Sequence, residues 1–267
     1  GEQPMNIVFF SGLVCYFIAV ILQFMGSAFK KDGILKAAKI VFIIGFALNT
    51  LYLVIRGVVA KRLPLSNQFE FGTAFAWGIA LLTIFLTRDK TTGWLATIAM
   101  PTAFLILSYA ALQPKEITDL MPALRSTWFG LHIGSAVFSY SSFVIAGCVG
   151  LKRILLSKSR ENADSLKISQ MDFLSYRLVG FGFLLLTVVI LSGAIWAEQA
   201  WSAFWTWDPK EVWALITWIL YAVYLHLRIR KKKDDIFLAW FVVIAVPIVL
   251  FTFIGVNTIM PGLHSYG

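Results

Sequence analysis

The sequence predicts an all-α integral membrane protein, built as a polytopic bundle of about eight transmembrane helices. Of its 267 residues 59% are hydrophobic, and the mean hydropathy is +0.79. A soluble domain of this size could not bury so much apolar side chain, so the composition places the chain in the membrane class. Charged residues make up only 14% of the chain and fall mainly between long apolar stretches.

Eight apolar stretches are long enough to cross a bilayer, whose hydrocarbon core needs about 20 apolar residues in a helix. Each stretch is bounded by charged residues or by proline and glycine. The first is too long for the core of a signal peptide and is followed directly by Lys30 and Lys31, so we expect a retained helix. The predicted spans are residues 6–29, 35–60, 69–87, 93–112, 127–151, 178–198, 210–229 and 236–258.

The positive charges are distributed unequally between the two sets of loops. One set holds 17 of the 23 lysines and arginines, and by the positive-inside rule it faces the cytoplasm. Both termini and the loop between the sixth and seventh spans then lie on the outer side. The net charge of +9 is therefore a topology signal, and we expect no nucleic-acid partner. No polar linker or repeat divides the chain, which predicts a single membrane domain over residues 1–267.

Six of the ten tryptophans lie within residues 196–218, where the sixth span ends and the seventh begins. An aromatic belt at the membrane surface explains one or two of them, and packing explains Trp218. Neither explains three tryptophans within residues 201–207. So much flat aromatic area could bind a large planar ligand. The predicted ligand surface consists of Trp201, Trp205 and Trp207, with Trp196 and Trp213 at its edges.

The residues that follow the tryptophans are typical of a helix start. Asp208 can cap the helix, Pro209 suits its first position, and Glu211 can reach back as in a capping box. We therefore expect Asp208 to hold the loop in place through a structural role rather than to take part in chemistry.

The three histidines lie at two depths. His132 is near the outer end of the fifth span, and His264 follows the last span. His226 lies 17 residues after Pro209, about 25 Å along the seventh helix at 1.5 Å per residue, so it cannot share a metal ion with the other two. Two outer imidazoles beside an aromatic surface suit an iron porphyrin. Packing remains the alternative for His226, and a solvated tail the alternative for His264.

Four segments resemble one family. Residues 196–218 (WAEQAWSAFWTWDPKEVWALITW) resemble the WWD signature of the haem-handling superfamily. The D-P-K-E continuation and YAVYLHLR are similar to the CcsA/ResC branch of cytochrome c biogenesis, called system II. Residues 63–71 (LPLSNQFEF), 120–140 and 255–267 are similar to further segments of that family. One departure is Ser202, where a glycine is common.

The resemblance implies roles for the three histidines. His132 and His264 match the external axial ligands of haem b held at the WWD segment. His226 matches a ligand of a second, inner haem site, whose other histidine belongs to a CcsB/ResB subunit. Three basic side chains, Arg125, Arg56 and Lys210, could meet haem propionates, although snorkelling to the interface is the plainer role for each. Arg56 lies among apolar residues and needs an anionic partner, either a propionate or Glu70.

The implied function is that of a haem-handling subunit of a cytochrome c synthase, in the bacterial cytoplasmic or thylakoid membrane. Haem b would move outward and be presented to the C-x-x-C-H segment of apocytochrome c. No side chain needs to act as a general acid or base, so the implied enzyme is a templating haem lyase. Two alternatives stay open: a membrane redox protein that keeps its haem, and a non-haem transporter or regulatory relative.

Overall fold

The computed structural model describes residues 2–158, 165–230 and 236–260, and within these ranges the chain is helical without strands. Eight of the described helices have the length and apolar composition needed to cross a membrane, which confirms the predicted fold class. The α-helices are α1 (Glu2–Ala28), α2 (Asp32–Ala60), α3 (Gln68–Leu86), α4 (Ala96–Ala111), α5 (Thr127–Lys158), α6 (Ser165–Trp201), α7 (Pro209–Arg230), α8 (Ile236–Leu250) and the short α9 (Val256–Ile259). Two 3-10 helices, Lys90–Leu95 and Pro122–Leu124, precede α4 and α5, and a π-helical turn, Phe251–Gly255, follows α8.

Helix α6 begins well before the predicted start of its apolar span at residue 178. Met171, Ser175 and Leu178 are buried at helical spacing, so the early part of α6 keeps one packed face although its sequence is mixed in polarity. An apolar stretch predicts the part of a helix that crosses the hydrocarbon core. An amphipathic pattern predicts the part that packs one face against other helices. Helix α5 likewise continues to Lys158, beyond the predicted end at residue 151.

The helices form two compact units, residues 1–119 and 120–267, where the sequence predicted one membrane domain. In the first unit α1 packs against α2 and α3 packs against α4. In the second unit α5 packs against both α6 and α8. Gly147 and Gly150 allow this close approach, because a Cβ atom on either would lie within 2.5 Å of a valine side chain of α8.

Candidate functional site

His132 lies in the second turn of α5 and packs against α6. Its Nδ1 atom is 2.7 Å from the carbonyl oxygen of Val189. A carbonyl can only accept a hydrogen bond, so Nδ1 carries a proton, and the neutral form of this imidazole has its lone pair on Nε2. Metal-ligating histidines commonly donate their second ring N–H in this manner, which fixes the ring tautomer and orientation. The arrangement therefore suits His132 as an iron ligand through Nε2.

Gly193 of α6 makes this position of the imidazole possible. A Cβ atom at Gly193 would lie 2.7 Å from Nδ1 and 2.8 Å from Cε1 of His132, closer than real Cβ contacts come. The ring thus rests directly on the backbone of α6. Sequence reasoning missed this glycine, because a single glycine within an apolar span carries no sign of which side chain will pack on it.

Trp196 supports His132 from one side. The two rings are roughly parallel, with centroids 5.9 Å apart and planes at 28°. Trp196 is only 1% exposed and also contacts Phe129 and Trp201, at centroid distances of 5.2 and 4.9 Å. The sequence predicted Trp196 at the edge of a ligand surface, whereas the structure places it in a buried cluster that includes Leu124. Trp196 therefore packs behind the His132 ring.

The loop after α6 contains two residues with left-handed backbone. Ser202 has φ +57° and Trp207 has φ +58°. This left-handed conformation raises the free energy of an L-residue by about 1–2 kcal/mol, whereas glycine adopts it without a comparable cost. The conformation of Ser202 explains why glycine suits this position. Trp207 is 71% exposed, and its ring meets that of Trp205 edge to face at 5.8 Å and 89°.

The predicted capping box at the start of α7 is confirmed. Oδ1 of Asp208 accepts the N–H of Lys210 at 2.9 Å, and Oε2 of Glu211 accepts the N–H of Asp208 at 3.2 Å. Asp208 is buried, as a structural cap would be. Oε2 of Glu211 also accepts the N–H of Thr206 at 2.8 Å, a bond that the sequence did not predict.

The two remaining tryptophans of the segment pack between helices. Trp213 of α7 lies against Phe251 of the π-helical turn, with ring centroids 4.5 Å apart. Nε1 of Trp218 donates a hydrogen bond to Oγ1 of Thr187 at 3.0 Å. The packing role predicted for Trp218 is therefore confirmed.

Arg125 precedes the helix that carries His132. Helix α5 begins at Thr127, so Arg125 lies before the helix and does not share a helical face with His132. It is exposed, and its Nε donates to the carbonyl oxygen of Leu120 at 3.2 Å. Arg125 remains close to His132 in sequence, but no helix fixes its side chain toward that ring.

Arg56 belongs to a buried ionic network in the first unit. Its Nε is 2.8 Å from Oε1 of Glu70, and Arg62 reaches Oε2 of the same carboxylate at 2.8 Å. The other guanidinium nitrogens of Arg56 donate to the carbonyl oxygens of Lys115 and Glu116, at 2.8 and 3.2 Å. Between the two partners considered for Arg56, this arrangement favours Glu70 over a propionate.

His226 lies near the C-terminal end of α7, and its side chain is exposed. Ile216, Ile219 and Val223 are exposed on the same helix at spacings of three or four residues, so they form one stripe with His226 that faces away from the unit. His264 lies outside the described residues. Its approach to His132 stays a prediction.

Comparison with known proteins agrees with this fold. Residues 65–264 match the family described as cytochrome C assembly protein. The chain belongs to this family. The resemblance to the CcsA/ResC branch is confirmed by relatives named cytochrome c biogenesis protein CcsA. The relative from Prochlorococcus marinus (strain MIT 9301) is 33% identical over 96% of this chain and 92% of that protein.

Two further relatives extend the match. The protein of the same name from Guillardia theta is 33% identical, over 94% of this chain and 92% of its own length. That from Chlamydomonas reinhardtii is 36% identical, over 82% of this chain and 65% of its own length. Among solved structures, cytochrome c haem lyase CcmF matches with a TM-score of 0.73 at 14% identity, over 93% of this chain and 46% of CcmF. At that identity the likeness shows the shared helical membrane fold alone. The chain is thus an integral membrane protein of the cytochrome c biogenesis family.

Proposed function

We propose that this chain is the haem-handling subunit of a cytochrome c synthase, which carries haem b as its substrate. The observation that supports this proposal most is the placement of His132. Its Nδ1–H is committed to the Val189 carbonyl, so the electron pair of Nε2 is the one suited to iron. An imidazole fixed in this way, stacked on Trp196 at the end of the helix that leads into the tryptophan loop, suits axial ligation of a planar iron porphyrin.

In the proposed outer site His132 and His264 bind the iron from opposite faces. Trp201, Trp205 and Trp207 cover the ring, and Trp213 lies at its edge. Trp196 packs behind the His132 imidazole and fixes its position. Among the basic side chains proposed for the propionates, Arg125 is the exposed one, and a charge-assisted hydrogen bond would be its contribution.

In the proposed reaction, apocytochrome c presents its C-x-x-C-H segment to this haem, and its histidine replaces one of the two external ligands. Each cysteine thiol then adds across a haem vinyl group, so that a carbon–sulfur bond forms and the thiol hydrogen passes to the neighbouring vinyl carbon. The addition is redox-neutral, and no leaving group is produced. The chain contributes positioning of the two reactants and ligation that favours one oxidation state of the iron.

We place a second, inner haem position at His226, with a CcsB/ResB subunit as the source of the other ligand. An ionisable side chain that faces outward from a membrane-spanning helix is costly unless it meets a partner. The exposed stripe of α7 around His226 is consistent with such a partner. The excess of lysine and arginine at this end of the helices supports a cytoplasmic location, with the tryptophan loop on the outer side.

The proposal is tested by replacing both proposed external ligands. In cells that depend on this chain, His132→Ala combined with His264→Ala should stop cytochrome c maturation, while His226→Ala should be partly rescued by added imidazole. Normal maturation in the double variant would overturn the outer site. Absence of imidazole rescue in an inactive His226→Ala variant would favour packing for His226.

A second experiment separates the synthase from a redox protein that keeps its haem. The purified complex, loaded with haem and reduced, is mixed with an apocytochrome that contains C-x-x-C-H. A synthase should lose its haem to the apocytochrome as a covalent product. Haem that stays with the complex would favour the redox protein, and purification without any Soret band from haem-replete cells would favour a non-haem relative.

A further inference from the structure

One carboxylate binds the backbone on both sides of Trp207. Oε2 of Glu211 accepts the N–H of Thr206 at 2.8 Å and the N–H of Asp208 at 3.2 Å, and it lies 3.3 Å from Oγ1 of Thr206. These two N–H groups belong to the residues immediately before and after Trp207. The loop is therefore closed around this tryptophan by a single side chain.

The backbone of Trp207 is held in an unfavourable, left-handed conformation. At φ +58° a residue with a Cβ atom is disfavoured about 5- to 30-fold relative to right-handed conformations. Burial does not compensate for this, because the side chain is 71% exposed. Strained residues persist where their surroundings over-determine them, and they cluster at ligand sites.

The two bonds of Glu211 have different structural meanings. The bond from Asp208 is part of the capping box and stabilises the start of α7. The bond from Thr206 lies outside the helix and caps none of its groups. This bond connects the loop before Trp207 to α7, and helix capping by Glu211 does not explain it.

We propose that Glu211 is a positioning residue, which holds Trp207 in its left-handed conformation and thereby presents the indole to the planar ring of the substrate. This inference rests on the proposed function, in which that ring is haem. Glu211 itself does not touch the substrate. Trp205, nearly perpendicular to Trp207, completes an aromatic corner whose shape exists before the ligand arrives, and such preorganisation reduces the ordering cost of binding.

The first test measures the loop without haem, by amide hydrogen exchange on the full chain in detergent. In Glu211→Ala the amide of Thr206 should exchange roughly 10-fold faster, because it loses its acceptor. Asp208→Ala is the matched control, since it removes the acceptor for Lys210 and leaves both bonds of Glu211 possible. Unchanged exchange at Thr206 in Glu211→Ala would overturn the inference, whatever the fate of the proposed function.

The second test is a double-mutant cycle read by hemin titration. In the wild-type chain, Glu211→Ala should raise the dissociation constant for hemin about 5- to 30-fold. In a Trp207→Ala chain the same substitution should have no further effect, because Glu211 acts on hemin binding through Trp207. Glu211→Gln keeps an oxygen acceptor and should recover most of the affinity. An equal loss in both backgrounds would show that Glu211 acts on helix stability, which contradicts the inference.

The two tests separate the inference from the proposal on which it rests. If the wild-type chain binds no hemin, the proposed function fails, and with it the assignment of Trp207 to haem. The exchange measurement would still decide whether Glu211 holds the loop.

Discussion

Gly193 offers the sharpest test of how α6 positions His132. Adding one methyl group in Gly193→Ala would place a Cβ atom 2.7 Å from Nδ1 and 2.8 Å from Cε1 of the imidazole, whereas ordinary van der Waals contact begins at 3.4 Å. The ring would have to retreat by at least the 0.7 Å between the shortest of these distances and ordinary contact. That movement strains or breaks the 2.7 Å hydrogen bond to Val189.

We expect Gly193→Ala to lower the affinity for hemin more than it lowers the stability of the fold. Losing a neutral hydrogen bond costs about 1 kcal/mol, and disturbing the partner that orients a metal-ligating histidine typically costs about 10- to 100-fold in metal affinity. The helix itself gains about 1 kcal/mol from glycine to alanine, so the unfolding temperature should change little. We therefore expect the dissociation constant for hemin to rise about 10- to 100-fold.

The assay is hemin titration of the purified chain, followed by absorption and by tryptophan fluorescence. Gly180→Ala is the matched control, because Gly180 lies on the same helix and a Cβ atom there has nothing within 4 Å. It should bind hemin as the wild type does. Wild-type affinity and spectrum in Gly193→Ala would refute the reasoning that the α6 backbone sets the position of His132.

Substitutions at three further positions test other parts of the structure. Glu70→Gln should destabilise the chain by about 3–5 kcal/mol, since it leaves the buried guanidinium of Arg56 without its anion; thermal unfolding in detergent would show this, and an unchanged midpoint would contradict the ionic network. Asp208→Ala should cost about 1 kcal/mol and Asp208→Asn almost nothing, so a large loss in the asparagine variant would mean that the charge of Asp208 has a role beyond capping. Ser202→Gly should stabilise the chain by about 1 kcal/mol because of the left-handed backbone, and destabilisation would argue against that conformation.

Much of the architecture could be predicted from the sequence, because the bilayer imposes strong rules on the chain. All eight spans follow from apolar length, and the capping box at Asp208 follows from local chemistry. The extension of α6 before residue 178 could not be found in this way, since it depends on a packed face formed with other helices. The two compact units could not be predicted for a similar reason, because no polar linker marks a boundary between them, and the single membrane domain stays a prediction.

The candidate site was only partly predictable. His132 and the loop tryptophans stand out by residue type and depth, and the resemblance to a known family adds their roles. Trp196 shows the limit of such reasoning, because its membership of the tryptophan cluster suggested a ligand contact while tertiary packing buries it behind His132. Gly193 and the second bond of Glu211 depend on distances between helices or across a loop, which no pattern in the sequence encodes.

The most direct test of the central claim is the absorption spectrum of the hemin-loaded chain, in the presence of its partner subunit, with and without the His132 side chain. The account predicts a low-spin, bis-imidazole spectrum at the outer site of the wild type. His132→Ala should lose that component, and added imidazole should restore it. A His132→Ala chain that keeps the full wild-type spectrum without imidazole would contradict the claim that His132 binds the haem iron.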